Sequence, residues 1–383
     1  MISGRILPAF AAQLVACLLG CAASAWAQSP PPPGPQGVVV PTVFPPFNAN
    51  AAPCTKPPGL RRVLAFAQDN EREFMQGVAR GLALAARDRG LDYQISLARS
   101  DAALMIEQVR ELRAAGIGAL VTAPVDPASL APSLQQLIWS GAFVGAVVPP
   151  PATEILNAPQ YLTGKVLGDA AAAYIRDRLS GRANVVLLTH DSLQFLAPRF
   201  VAMRDSLKTL PGVTIVADLS PQTVNKAGGN AAMRTILLAH PNVDVVLGAD
   251  TVVLGALEAL RAAGKARPDQ FLGGIDGEPE AVAEIKKGGP YKASISLASP
   301  IFAYAMGQHA ADWLEGRSVP QAMDILPSAL SLANIAQYEA DVADPGAVYR
   351  DPARRAAYLR VYGNICYDTR NQYVNFPWSS ERR

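Results

Sequence analysis

Short apolar runs alternate with amphipathic stretches over most of the chain. The first run covers residues 62–67, and the stretch that follows, residues 71–88, places Phe74 and Leu82 on one face of a helix. Gly90 then ends this helix, as glycine commonly does after a last turn. The same alternation predicts strands at residues 93–98, 119–122 and 143–148 and helices at residues 102–115 and 128–140. Strands that alternate with helices at short intervals predict a parallel sheet covered on both faces.

A break separates this group from a second group of similar size. Residues 149–160 begin with three consecutive prolines and show no regular pattern. Beyond them the pattern predicts strands at residues 185–189, 213–217, 243–247, 271–275 and 293–297 and helices at residues 164–179, 199–210, 229–239, 252–263 and 280–287. The two groups predict an α/β fold with two Rossmann-like lobes, each built on its own parallel sheet. We expect the next helix, residues 300–314, to return to the first lobe.

The first residues of the chain resemble an export signal. Within residues 1–27, Arg5 precedes an apolar run, and Ala25-Trp26-Ala27 forms an A-x-A cleavage site. The alternative is a lipobox ending at Cys21, which would become the lipidated first residue of the mature protein. Both interpretations predict export, and we expect the protein in the periplasm.

The segments that flank the lobes carry the two cysteines of the mature chain. Residues 28–59 are rich in proline and predict a disordered, extended leader, and residues 336–383 predict a C-terminal extension that is mostly irregular. Two cysteines in an oxidising compartment have a fair chance of pairing, so we expect a disulfide between Cys54 and Cys366. Two unpaired thiols are the alternative.

Composition argues against several classes of function. Only 17% of the 383 residues are charged and the formal net charge is +2, so charge predicts no nucleic-acid partner. The chain has no C-x-x-C pair and three histidines, which gives no pattern for a metal site or a cofactor. No G-x-S-x-G, H-E-x-x-H, P-loop or G-x-G-x-x-G motif stands at a strand-to-helix junction, so we do not expect an enzyme.

Residues 270–279 contain the first candidate for a ligand contact. Their apolar run ends at Asp276, Gly277 permits a tight turn, and Pro279 stands where a helix can begin. Open α/β sheets bind ligands just beyond the carboxyl ends of their strands. Asp276 is therefore predicted to contact a ligand, and the alternative is that it only caps the next helix.

Several short segments occur in an order and at spacings that resemble one protein family. They are Phe74-Met75 before Gly81, Ala123-Pro124-Val125-Asp126, Arg199 with Phe200, Met203 and Leu207, residues 239–246, Asp250 with residues 254–260, and residues 273–277. The family is that of the type I periplasmic solute-binding proteins, the ribose- and galactose-binding class. It shares its fold with the ligand-binding half of lac-repressor-type regulators. The resemblance covers residues 61–330.

The resemblance implies two lobes joined by a three-segment hinge, with the ligand held in the cleft between them. By analogy, the chain crosses between the lobes near Tyr161, near Ala298 and near Val319. The implied lobes are residues 60–160 with 299–322 for the N-terminal lobe and residues 161–298 with 323–335 for the C-terminal lobe.

The implied cleft brings seven candidate residues together. Sugar hydroxyls bind strongly to charged partners, and the C–H face of a sugar packs on an aromatic ring. The predicted ligand-binding set is Asp69, Asn70, Phe74, Asp126, Arg199, Asp250 and Asp276. Ordinary roles stay open for them, because polar residues at strand ends also cap helices, Phe74 can belong to the core, and Arg199 can pair with a surface carboxylate.

Two departures from the family pattern leave the ligand open. The family often has an Asp-Arg pair that grips sugar hydroxyls, where this chain has Val147-Val148-Pro149-Pro150. Ala249 stands where the family has an asparagine. A smaller, more apolar or partly deoxygenated solute fits as well as a pentose or hexose.

The predicted function is that of an exported, monomeric protein that captures a small carbohydrate-like solute and presents it to an ABC importer. The alternative within the binding class is a sensor subunit that docks on a receptor kinase or chemoreceptor. A secreted enzyme with Asp250 and Asp276 as a glycosidase pair is the alternative from another class. Both carboxylates would lie on one lobe, which argues against it.

Overall fold

Two sheets of mostly parallel strands form the framework of the protein in the computed structural model, which describes residues 44–147, 151–190, 193–376 and 378–381. The expected export signal and the alternative lipid site at Cys21 lie outside the described residues, as do Val148, Pro149 and Pro150.

Strands and helices alternate through both lobes, in the way the hydrophobic pattern predicts. In chain order the strands and α-helices are β1 (Arg61–Gln68), α1 (Glu73–Arg89), β2 (Asp92–Leu97), α2 (Ala102–Ala114), β3 (Ile117–Thr122), α3 (Pro127–Trp139), β4 (Phe143–Ala146), β5 (Glu154–Asn157), α4 (Gln160–Arg178), β6 (Arg182–Leu188), α5 (Ala197–Lys208), β7 (Gly212–Leu219), α6 (Lys226–Ala239), β8 (Val245–Leu247), α7 (Asp250–Ala262), β9 (Phe271–Asp276), α8 (Pro279–Lys286), β10 (Tyr291–Ser296), α9 (Ser299–Leu314), β11 (Ala322–Ile325), β12 (Ser328–Leu330), α10 (Ile335–Ala343), α11 (Pro345–Arg350), α12 (Pro352–Tyr358) and β13 (Leu359–Tyr362).

Each sheet is parallel apart from one edge strand. The first sheet has the strand order β13-β11-β5-β4-β3-β1-β2, in which β13 runs antiparallel to β11. The second has the order β12-β10-β9-β8-β6-β7, in which β12 runs antiparallel to β10. The predicted class, an α/β fold with two lobes on parallel sheets, is confirmed.

Helix α9 packs in the first lobe, where we expected it. A side chain on Gly81 of α1 would collide with the backbone carbonyl of Pro300, so glycine permits the close approach of the two helices. Phe302 is fully buried on α9 and belongs to the same core as Leu64 and Phe66 of β1.

Among the described strands the chain changes sheets four times, after β5, after β10, after β11 and after β12, and the last change returns β13 to the first sheet. The third crossing lies between Ile325 and Ser328, whereas we expected it near Val319. We expected residues 323–335 in the C-terminal lobe, but Met323 pairs with Leu156 of β5, so residues 323–325 of β11 belong to the first sheet. Strand β5 itself falls in a stretch that we expected to be irregular.

The flanking segments are more ordered than the sequence predicts. In the part of the leader that the structure describes, Phe47 N–H donates to the carbonyl of Val361 at 3.1 Å, so residues 44–59 are not a disordered leader. The C-terminal extension forms α12, where Asp351-Pro352 predicts the start of a helix, and also α11 and the edge strand β13, where we expected an irregular tail. The predicted disulfide between Cys54 and Cys366 is present, with the two Cα atoms 5.6 Å apart.

The helices were also compared with the length and hydropathy of a membrane-spanning helix. Within the described ranges, none of the helices combines the length and the apolar character needed to cross a bilayer.

Candidate ligand-binding site

Asp276 ends β9 in a strained backbone conformation. Its φ is 125°, in a region that non-glycine residues rarely adopt, and Gly277 continues the turn with a φ of 72°. Such strain persists only where the surrounding structure imposes it, and it is often found at binding sites. Burial raises the pKa of Asp276, against the opposing effect of Arg199 and then Arg72. No hydrogen bond from the described residues reaches its carboxylate.

Arg199 supplies a buried cation to the same cleft. It lies in the first turn of α5 with 7% of its surface exposed, and its Nε donates to Gln160 Oε1 at 2.7 Å. A side chain on Gly164 of α4 would collide with the carbonyl of Arg199, so this glycine lets α5 lie close enough to seat the arginine. Burial lowers the pKa of Arg199, while Asp276 raises it.

The two charges influence one another without forming an ion pair within 4 Å among the described residues. The terminal nitrogens of Arg199 have no hydrogen-bond partner in the described part of the chain. A buried charge with unused hydrogen-bonding capacity is costly, because its lost hydration is not replaced. Arg199 and Asp276 can therefore each take polar groups of a bound molecule.

The first lobe contributes a polar turn after β1. Asn70 N–H donates to Asp69 Oδ1 at 2.7 Å, and Asn70 Oδ1 accepts from the N–H and Nε of Arg72 at 2.9 and 3.1 Å. Asp69 and Asn70 thus hold the turn that carries Arg72. The charge of Arg72 affects the pKa of Asp276 and of Arg199, which places it opposite the second lobe. We did not predict Arg72, since nothing in the sequence shows which side chain after a strand faces across a cleft.

Phe74 packs on the core of the first lobe and also lines a hollow, and its contact with a ligand stays a prediction. Its ring lies 5.9 Å from the ring of Phe302, at an angle of 43°, so it packs on the core of the first lobe. It also lines a hollow whose walls include Asp276 of the second lobe. The predicted meeting of an aromatic ring with an acid from the opposite lobe is therefore present.

Asp250 does not reach the cleft. It is fully buried and accepts hydrogen bonds from the Tyr291 hydroxyl at 2.7 Å, the Ser294 hydroxyl at 2.6 Å and Glu278 N–H at 2.9 Å. Burial raises its pKa to about 7. A side chain on Gly274 would collide with this carboxylate, so β9 is shaped around it. Our assignment of Asp250 to ligand binding is wrong, because its contacts use the carboxylate to hold the turn after β9.

Asp126 also has a structural role. It is the N-cap of α3, and its carboxylate accepts from Ala128 N–H at 3.2 Å and from the Ser129 hydroxyl. The hydrogen bond from Ser129 lowers its pKa. The capping alternative therefore describes this residue, since both carboxylate oxygens are engaged with the first turn of α3.

Glu278 is a site residue that the sequence did not reveal. It follows Gly277 in the turn, is 8% exposed and lines the same hollow as Phe74 and Asp276. Its carboxyl group has no hydrogen-bond partner among the described residues. Burial raises its pKa to about 9, helped by the charges of Asp276 and Asp250. Its position two residues after Asp276 was the one feature of the sequence that pointed to Glu278, but a sequence does not show that a glutamate is buried.

The described residues were compared with the ligand sets that bind metal ions in proteins. Within the described ranges, the acidic, histidine and cysteine side chains make no group of three or more that could hold a metal ion.

The two sheets face a common cleft with the carboxyl ends of β1 and β9, and the chain crosses between the sheets after β5, β10, β11 and β12. This arrangement defines the class of two-lobed solute-binding proteins. Residues 63–318 match the periplasmic binding protein domain, and the chain belongs to this family.

Named relatives are similar over more than half of the chain. The ribose import binding protein of Bacillus subtilis (strain 168) is 28% identical over 224 residues, which are 56% of this chain and 68% of that protein. A putative rhizopine-binding protein of Rhizobium meliloti is 26% identical over 268 residues, 65% of this chain and 83% of that protein. An ABC transporter solute binding protein from Bacillus halodurans C-125, solved with bound myo-inositol, shares the fold with a TM-score of 0.65 at 19% identity, over 73% of this chain and 98% of that chain.

Proposed function

We propose that this protein is a periplasmic, monomeric solute-binding protein that captures a small hydroxylated, carbohydrate-like molecule between its lobes and presents it to an ABC importer. One observation carries the proposal. Arg199, which is buried, and Asp276, which is partly buried, face the same cleft, and the terminal nitrogens of Arg199 and the carboxylate of Asp276 have no hydrogen-bond partner among the described residues.

A ligand hydroxyl complements this pair of charges. The hydroxyl donates to the Asp276 carboxylate and accepts from the Arg199 guanidinium, and charge-assisted hydrogen bonds are the stronger kind. The ring of Phe74 offers an apolar surface for the C–H face of the same molecule. Together these groups favour a compact molecule with several hydroxyls and one apolar face.

Closure of the lobes traps such a ligand. Arg72 and Phe74 belong to the first lobe, while Arg199 and Asp276 belong to the second, so a molecule that contacts both sets favours the closed form. Relatives named for ribose and rhizopine binding support this class of ligand for the chain. A closed form presented to a membrane partner is the signal that an importer requires.

A thermal-shift screen followed by calorimetry tests the proposal. We expect at least one compound from a panel of pentoses, hexoses, inositols and linear polyols to raise the melting temperature. Asp276→Ala should lower the affinity for that compound by about 10- to 100-fold, since a hydrogen bond to a charged group contributes about 1.5–3 kcal/mol.

The matched control is Asp177→Ala, which removes a carboxylate whose side chain is 65% exposed on α4. It should leave the affinity unchanged. Binding that survives Asp276→Ala at full strength would contradict the proposed site, and a panel without a single binder would contradict the proposed ligand class.

A further inference from the structure

The hollow lined by Phe74 and Asp276 shares Asp276 with the cleft. It lies between α1 of the first lobe, the turn from β9 to α8 of the second lobe, the start of α9, and α10. Most of its walls are apolar. The apolar side chains that line it are Phe74, Pro279, Val282, Pro300 and Val342.

The charged groups at its rim pair with partners around it. Arg80 bonds Glu73 at 2.7 Å, and Lys286 bonds Glu339 at 2.6 Å. Three polar side chains in the lining have no hydrogen-bond partner among the described residues, the carboxyl groups of Asp276 and Glu278 and the hydroxyl of Ser299. Glu278 is more than nine-tenths buried, and its backbone N–H donates to Asp250 Oδ2 at 2.9 Å, which holds the backbone that carries it.

Helix α10 forms the outer wall and lies beyond the residues that match the family domain, which end at 318. The Tyr338 hydroxyl donates to the carbonyl of Gly277 at 3.0 Å, and Glu339 bonds α8 through Lys286. These contacts tie α10 to the turn that presents Asp276. The wall is thus a feature of the C-terminal part of this chain.

We propose that this hollow is a subsite for an apolar substituent of the bound solute. The ligand would then be a hydroxylated ring that carries a short alkyl or alkoxy group, with at most one polar atom placed at Glu278. The ring occupies the cleft at Asp276 and Arg199, and the substituent passes between Phe74 and Val342. This inference rests on the proposed function and specifies its ligand.

Physical chemistry favours such a substituent over a second polar ring. Apolar walls gain from contact with alkyl groups, each buried methylene giving about a fourfold gain in affinity. A neutral carboxyl group at Glu278 can donate to an ether oxygen, which a carboxylate cannot do. A fully hydroxylated group would leave most of its hydroxyls unpaired against Phe74, Val282 and Val342.

Calorimetry with two matched series tests the subsite. The first series is D-ribose with methyl and n-butyl β-D-ribofuranoside, and the second is myo-inositol with its mono-O-methyl and mono-O-butyl ethers. We expect at least one ring to bind and its alkyl derivatives to bind more tightly, by about fourfold for each methylene that the hollow accommodates.

Val342→Phe places a larger side chain in the hollow. It should abolish the gain of the alkyl derivatives while leaving the affinity for the parent ring unchanged. Ala340→Phe, on an exposed position of the same helix, is the control and should keep the gain. Val342→Ala enlarges the hollow and should increase the alkyl length at which the affinity stops rising. This variant tests the subsite even if Val342→Phe does not fold.

The outcomes separate the two proposals. A ring that binds without any gain from its alkyl group overturns the subsite and leaves the proposed function standing. A gain that persists in Val342→Phe also overturns it. Absence of binding by both rings and by all their derivatives, together with a panel of sugars and polyols that yields no ligand, overturns the proposed function and the subsite with it.

Discussion

The side-chain carboxylate of Glu381 accepts hydrogen bonds from the backbone N–H groups of Leu162, at 2.6 Å, and Tyr161, at 3.2 Å. Both N–H groups belong to the first turn of α4, where the helix has no partners of its own for them. Pro159, the N-cap residue, makes no side-chain cap. The C-terminal tail is anchored on the first lobe, where Val374 N–H donates to Ala152 at 3.0 Å. The tail therefore reaches from the first lobe to the first helix of the second.

Glu381→Ala should remove this cap. We expect a loss of about 1 kcal/mol in the free energy of unfolding, the usual effect of deleting an N-cap side chain, and a fall of about 2 °C in the melting temperature. Urea unfolding measures the loss. Glu107→Ala changes an exposed glutamate of α2 and should have no effect. Equal stabilities for the two variants would show that the cap contributes nothing.

Asp250 and Asp276 should respond in opposite ways to the same substitution. Asp250→Ala leaves three buried donors without their acceptor, and each unsatisfied group costs about 1–3 kcal/mol, so we expect a loss of about 3 kcal/mol or more in the free energy of unfolding. Asp276→Ala removes a carboxylate without a described hydrogen-bond partner, and stability should change by less than about 1 kcal/mol. Comparable destabilisation in both variants would mean that Asp276 is structural.

Asp250 and Asp276 show which features of the candidate site can be predicted from the sequence. Both end up beside the same turn, because the α/β pattern puts strand ends and helix starts at one edge of a sheet. The pattern does not tell whether a carboxylate faces the cleft or turns back toward Ser294, since that depends on side-chain packing within the lobe. Arg72 and Glu278 were not predicted as site residues for a related reason. Their roles depend on what lies across the cleft or above the turn, and those neighbours are distant in sequence.

The strands likewise divide into those that the sequence predicts and those that it does not. Long apolar runs such as β1 and β9 were predicted close to their observed bounds, because burial on both faces leaves a clear signal. Strands β5, β12 and β13 have three or four residues each, too few for a pattern. Their pairing is decided by tertiary contacts, such as the one between Ala322 and Ile155.

Stability should fall as the pH rises from about 5 to about 9. Burial raises the pKa of Glu278 to about 9 and that of Asp250 to about 7, so the folded state keeps protons that the unfolded state releases at lower pH. The unfolded state therefore binds fewer protons in this window, and the free energy of unfolding declines by up to about 1.4 kcal/mol per pH unit for each group. Acids with a lowered pKa, such as Asp341 beside Tyr358, act in the opposite direction only at lower pH.

Glu278→Gln isolates this effect. Glutamine keeps the shape of a neutral carboxyl group but does not ionise, so the variant should gain stability over the parent protein as the pH rises, with little difference near pH 5. Melting temperatures from pH 5 to pH 9 provide the comparison. Parallel pH profiles for the two proteins would show that Glu278 is ionised in the folded state.

A buried acid–base pair joins β5 to α9. The Nδ1 of His309 lies 2.9 Å from both carboxylate oxygens of Glu154, and the two residues are 6% and 0% exposed. Removing one partner leaves the other buried without its counterpart, which costs about 3–5 kcal/mol in known cases. We expect His309→Leu and Glu154→Leu each to lower the free energy of unfolding by about that amount.

The double variant distinguishes a coupled pair from two independent packing residues. When both partners become apolar, no buried polar group remains uncompensated, so the double variant should lose less stability than the sum of the single losses. Urea unfolding of the four proteins gives the coupling free energy, which we expect to exceed about 1 kcal/mol. Additive losses would show that Glu154 and His309 stabilise the junction only by filling space. A large coupling would instead show that the interaction between Glu154 and His309 itself stabilises the packing of β5 against α9, next to the first crossing of the chain.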